Sequence, residues 1–250
     1  MNPIIEESQR KAARVVGACY LFAMAAAIFS ESFVRGRLMA GDDVMRTAQN
    51  IMAHQTLFRV GIAVELLTFA ADIALIIGLY VILRPIGRNL ALFATAIRLA
   101  AEASFVSMAA GSLDVLRILS GAEYLRAFGP DQLAAMARLS LGSHAAAYGA
   151  GFMFLGLGST VFAWLWVKTQ YVPKAFGYLG IVASALLALG SLEMIVMPGL
   201  RTLIYPWYMV PMFFFEVGLG LWLLVKGLNL EGRESRAGAE VSTASYSATI

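Results

Sequence analysis

The chain has 250 residues, of which 60% are hydrophobic and only 14% charged, and its mean hydropathy is +0.74. A water-exposed surface needs roughly a quarter charged residues, so a soluble catalytic domain is excluded as the body of the molecule. The net charge of +3 is scattered over joins and tails without a long basic tract, which excludes nucleic acid as the expected partner.

The apolar residues fall into blocks near the roughly 20 residues that a helix needs to cross a bilayer. Helix 1 is predicted from Val15 to Val34. Arg10, Lys11 and Arg14 precede it, but no small-residue cleavage site follows its core, so it reads as an uncleaved first span. Helix 2 runs from Leu57 to Leu83, and Arg84-Pro85-Ile86-Gly87-Arg88-Asn89 makes the turn into helix 3, Leu90 to Leu119. Helix 4 is expected from Ser143 to Val167, helix 5 from Ala175 to Met197, and helix 6 from Pro206 to Val225. The blocks are continuously apolar and rich in Ala, Leu and Met. A barrel strand would instead alternate over about ten residues, so the predicted fold is all-α, a polytopic transmembrane helical bundle.

Two joins carry structure of their own. Val44, Ala48, Ile51 and Gln55 recur at helical spacing within Asp42 to Gln55, which predicts a short amphipathic surface helix. Gly129 to Ser143 reads as a second surface helix feeding helix 4. Residues 1–14 are expected to form a cytoplasmic N-terminal segment, 15–227 the transmembrane domain, and 228–250 a flexible cytoplasmic tail, polar and rich in small residues. The compact joins holding Arg84, Arg88, Lys168 and Lys174 favour both termini in the cytoplasm.

Charge inside the spans is the informative feature. Glu65 and Asp72 lie in helix 2, Arg98 and Glu102 in helix 3, Glu193 in helix 5 and Glu216 in helix 6. Such residues are costly in a bilayer and should face the bundle interior, a wet cavity or the interface. Glu65 and Asp72 are seven apart and share a helical face with Thr68, and Arg98 and Glu102, four apart, can share another. Counting depth along each helix brings Asp72, Arg98 and Glu216 to one level if their helices are neighbours. Five deep carboxylates face the single guanidinium of Arg98, an imbalance that suits a bound proton, a monovalent cation or a small polar ligand.

Glu65, Asp72, Arg98, Glu102 and Glu216 are therefore the candidate ligand-binding residues, with His144 and Glu193 as candidates for gating or proton exchange. No cofactor is expected. One cysteine, Cys19, and two histidines exclude a disulfide framework and argue against a structural zinc site. Gly142, Ala146 and Ala150 recur every four residues, a pattern suited to close helix packing. Tyr205, Trp207 and Tyr208, bracketed by Pro206 and Pro211, suit an interfacial aromatic belt.

The segment from Leu57-Phe58-Arg59 through Glu65, Asp72, Leu79-Tyr80, Arg84-Pro85 and Leu90-Ala91 to Arg98-Leu99-Ala100 and Glu102 resembles domain-of-unknown-function family 4386, bacterial multi-pass membrane proteins. Tyr171-Val172-Pro173-Lys174-Ala175-Phe176-Gly177 and the stretch from Glu216 to Gly227 are similar to it as well, so the likeness covers about residues 10 to 230. Ala101 departs from the larger apolar residue usual there. The resemblance implies a multi-pass protein of the bacterial cytoplasmic membrane and supplies no reaction.

Three functions compete on this sequence. The first is binding or transport of a small polar molecule or ion at the acidic/Arg cluster. The second is a noncatalytic sensor or assembly subunit, with a homo-oligomer or membrane-protein partner besides the lipids. The third is an intramembrane enzyme, for which no zinc-protease or serine-histidine-acid pattern is present.

Overall fold

In lipid a backbone amide must find its partner within its own segment or a closed barrel. The apolar blocks resolve this as helices in the computed structural model, which describes residues 3–197, 199 and 201–229. The elements are α1 (Pro3–Phe29), a π-helical turn Ser30–Arg35, α2 (Gly36–Leu38), α3 (Val44–Ala53), α4 (Gln55–Leu83) and α5 (Arg88–Ile118). There follow a 3-10 turn Glu123–Ala127, α6 (Pro130–Lys168), α7 (Lys174–Val196), α8 (Arg201–Ile204), a 3-10 turn Trp207–Met209 and α9 (Val210–Val225). Among the described residues six helical stretches are long and apolar enough to cross a membrane, so this is a multi-pass membrane protein. Large apolar side chains cover its outer surface, among them Leu67, Phe93, Leu189 and Phe214.

The six spans form a closed ring in chain order, α1 against α4, α4 against α5, α5 against α6, α6 against α7, α7 against α9, and α9 back against α1. Closure depends on a close crossing of the first and last spans. A Cβ on Gly17 would lie 2.8 Å from the carbonyl oxygen of Gly220, so neither backbone can carry a side chain there. With an even number of spans both ends of the chain reach the same face, here termed the terminal face.

That face is sealed. Val16, Leu75, Leu79, Ile82, Leu83, Ala94, Leu165, Trp166, Leu219 and Leu223 are buried and continuous. Gln9, buried at the start of α1, donates from Nε2 to the Ile82 carbonyl at 2.9 Å and so fastens α1 to the end of α4. Residues 3–14, set apart in the sequence as an N-terminal segment, form the first turns of α1. Leu228 is buried and the Asn229 amide donates to Tyr171 O at 2.9 Å, while the tail from residue 230 lies outside the described residues.

The opposite, distal face is capped by α3. Asp43 closes its N-terminus by accepting from the Arg46 amide at 2.9 Å. Ile51 and Ala48 turn inward, and Ile51 joins a cluster with Val34, Leu38, Phe58, Ile62, Val115 and Leu141. The amphipathic helix expected over Asp42 to Gln55 is therefore present and docked.

The second expected surface helix is not a separate element. Pro130 starts a single helix that runs without interruption to Lys168, its first turn closed by the Gly129 amide donating to Gln132 Oε1 at 2.9 Å. Gly142 and Ser143, which resembled a boundary, sit in its interior, exposed, where glycine is tolerated at modest cost.

Candidate functional site

Six helices in a ring leave an axial space that side chains must either fill or line. Toward the terminal face they fill it. Above that plug, all six spans line a cavity of about 400 Å³.

Each helix contributes one stripe, spaced by three and four residues as helical periodicity requires. From α4 the stripe is Glu65, Thr68, Phe69 and Asp72, and from α6 it is His144, Tyr148, Phe152 and Leu155. Arg98, Phe105 and Met108 come from α5, and Met212, Phe213 and Glu216 from α9. Tyr20, Met24 and Ala27 of α1 continue upward into Ser30 and Glu31 of the π-helical turn. Leu187 completes the wall from α7.

The polar groups lie at two depths. Asp72, Arg98 and Glu216 form the inner group, set low on α4, α5 and α9 near the apolar plug. Arg98 is 1% exposed, and its NH1 donates to Ser159 Oγ on α6 at 2.6 Å. Gly158 makes room for its stem, since a Cβ there would stand 2.8 Å from Arg98 Cγ. The buried Nε of Arg98 has no hydrogen-bond partner among the described residues. Among the described residues no carboxylate oxygen lies within 4 Å of its guanidinium.

Near the distal face, His144 Nε2 stands 3.6 Å from Glu65 Oε1, and both side chains are largely withdrawn from solvent. Glu31 lies at the mouth with its side chain 47% exposed and its Oε1 3.4 Å from Arg35 Nε. A residue that lines the cavity and also meets the exterior marks where the cavity opens. Besides Glu31, Ala27 of α1 and Val210 and Phe213 of α9 are such residues. The opening therefore lies in the distal half of the ring, above the plug, and extends along the junction of α1 and α9.

The structure thus brings Glu65, Asp72, Arg98, Glu216 and His144 to one cavity. It does not bring Glu102 or Glu193 to that wall. Glu102 is 3% exposed, and both its carboxylate oxygens are buried without a hydrogen-bond partner beside the inner group. Glu193 lies near the distal end of α7, partly buried, away from the cavity lining. Among the described residues no group of three His, Cys, Asp or Glu side chains is placed to hold a metal ion.

Sequence reasoning missed Glu31, Tyr20 and Ser159. Glu31 is a carboxylate at the end of an otherwise apolar first span, a signal of the same kind as Glu65. Tyr20 and Ser159 look like ordinary residues of their helices, and only the ring geometry brings Tyr20 to the cavity and Ser159 to Arg98.

Residues 15–227 match the family described as "Domain of unknown function (DUF4386)". The chain belongs to the DUF4386 family. No curated protein and no solved structure matches it. The matched region of this DUF4386 member contains every residue of the cavity, from Tyr20 to Glu216. The family description names no ligand and no reaction, so the chemistry of the cavity rests on the side chains themselves.

Proposed function

We propose that this protein binds a small polar or charged molecule in the axial cavity and carries it across the bacterial cytoplasmic membrane. Both termini are cytoplasmic in this reading, in keeping with the basic residues on the compact joins of the terminal face. The carrying observation is the inner group of Asp72, Arg98 and Glu216 lining a space of about 400 Å³. A volume in the usual range for small-molecule pockets, mostly apolar with a few convergent polar groups, suits one organic ligand.

Arg98 favours a ligand site over a helix lock. A lock would place a carboxylate against the guanidinium, whereas here one hydroxyl holds it and its Nε is left for a partner. Asp72 and Glu216 bind the positive part of the ligand or a coupling proton or monovalent cation. Arg98 orients a negative or hydrogen-bond-accepting part. Transport further requires the plug around Leu79, Ile82 and Leu219 to open while the distal mouth closes.

Uptake of a panel of ions and small molecules into sealed proteoliposomes, at several pH values, tests the reading. Native protein should accumulate at least one solute, and Asp72→Asn and Glu216→Gln should abolish that uptake without loss of folded protein. Uptake unchanged in both variants would remove the cavity from the mechanism.

A further inference from the structure

The walls of the cavity are not equally tight. Low in the ring, α6 and α7 are in backbone contact, since a Cβ on Gly156 would lie 2.5 Å from Ser184 O and 2.6 Å from the Ala188 amide nitrogen. Higher up the same pair separates. A Cβ on Gly149 or Gly142 would meet nothing within 4 Å. The Gly142-Ala146 spacing that suggested close packing therefore lines a gap.

That gap is a second cavity of about 760 Å³, walled by the distal third of α6 and by Ser191, Met194 and Ile195 of α7. It shares Glu31, His144 and Tyr148 with the axial cavity, so the two meet at those side chains. Leu139, 74% exposed, and Ile195, 53% exposed, stand at its outer edge and give it an apolar rim. Two buried polar groups face into it unsatisfied. Among the described residues Ser191 Oγ has no hydrogen-bond partner, and neither has either ring nitrogen of His144, Glu65 Oε1 standing 3.6 Å from its Nε2. Unsatisfied buried donors and acceptors of this kind mark a place where an occupant completes the hydrogen bonding.

We propose that the cleft between α6 and α7 is a lateral portal through which an amphipathic amine passes from the bilayer into the axial cavity. The class of ligand follows from the two linings. Much of the axial wall is aliphatic or aromatic, including Phe69, Phe105 and Phe152, and the portal adds Leu139, Met194 and Ile195. Both accept an apolar body that a purely aqueous solute lacks. Of the two guanidiniums in the portal lining, Arg35 is paired with Glu31 and Arg138 is exposed to solvent. With Glu31 paired to Arg35, the carboxylates of Glu65, Asp72 and Glu216 still face the cavity against the one guanidinium of Arg98, so the complementary head group is cationic. Tyr148 at the junction adds a ring face for the same cation. Ser191 and His144 supply hydrogen bonds along the way.

The proposal rests on the axial cavity being the binding site, and one experiment separates the two. Dansylcadaverine, a primary amine on a fluorescent apolar body, is titrated into full-length protein in phosphatidylcholine nanodiscs. Native protein should bind it, shown by a saturable rise in dansyl emission. Asp72→Asn should weaken binding at least tenfold because the head group loses its partner. Gly149→Phe should weaken it at least tenfold by filling the portal. A Cys19→Ser, Ala146→Cys protein tests closure without a bulky substitution. A benzyl thiol adduct at position 146 should abolish binding, and reductant should restore it.

Binding lost in Asp72→Asn but retained in Gly149→Phe and in the benzylated protein would overturn the portal and leave the cavity as a site entered from the distal mouth. No binding of dansylcadaverine to native protein would overturn the amphipathic amine as ligand. The general site would then be judged by Asp72-dependent uptake of hydrophilic solutes.

Discussion

His144 on α6 and Glu65 on α4 approach to 3.6 Å between Nε2 and Oε1, although α5 separates their helices in the ring's order. They tie together the two walls that flank α5, placed where the axial cavity and the lateral cleft meet. A double-variant cycle with His144→Ala and Glu65→Ala measures the tie. The two changes should be non-additive by about 0.5–3 kcal/mol, the range for residues in direct contact. Additive losses in detergent thermal unfolding would show that the groups do not interact.

Ser159 is the hydrogen-bond acceptor that holds Arg98 NH1, at 2.6 Å. Ser159→Ala should destabilise the protein by about 1–3 kcal/mol, because it strands a charged donor in a buried site. Ser159→Thr keeps a hydroxyl and should recover most of the loss. Apparent melting temperature of the purified variants decides between these outcomes.

The crossing of α1 and α9 and the gap beside α6 make opposite demands on glycine. Gly17→Ala puts a methyl group 2.8 Å from Gly220 O and should cost about 1–3 kcal/mol through overpacking. Gly142→Ala meets nothing and should leave stability unchanged or raise it by up to about 1 kcal/mol, alanine being the better helix former. Denaturation in graded sodium dodecyl sulfate, read by tryptophan fluorescence, ranks the two. Equal destabilisation would contradict the packing described for one of them.

Access to the cavity should be one-sided. In a Cys19→Ser background, Thr68→Cys should react with a membrane-impermeant thiol reagent applied to the distal face at least tenfold faster than Leu79→Cys, which lies in the plug. Reagent applied to the terminal face should label neither in the resting state. Rapid labelling of position 79 from the terminal side would show that the plug is not closed.

The six spans were legible because apolar length is a local property, and each predicted core lies inside an observed helix. The stripe of Glu65, Thr68 and Asp72 was legible for the same reason, as spacing along one helix fixes which side chains share a face. Arg98 and Glu102 show where that logic weakens. Four residues leave an angular offset of about 40° on an ideal helix, and Glu102 falls outside the cavity lining while Arg98 lies within it. Ring closure was not legible. It depends on Gly17 meeting Gly220 from opposite ends of the chain, and no periodicity within either helix records that contact. The gap at Gly142 and Ala146 resembles a packing seam in the sequence because small residues serve both close contact and open space. Only the course of the neighbouring helix separates the two.

The spans differ greatly in length. At 1.5 Å per residue the 39 residues of α6 extend about 58 Å, while the last span, Trp207–Val225, reaches about 28 Å. A hydrocarbon layer about 30 Å thick matches the last span and is far exceeded by α6. The surplus of α6 therefore lies at its Pro130 end, beyond the hydrocarbon on the distal side, or is taken up in part by tilt. A thicker membrane would cover more of α6 while outreaching the last span, so bilayers of short-chain and long-chain lipids should load the two sides of the ring unequally.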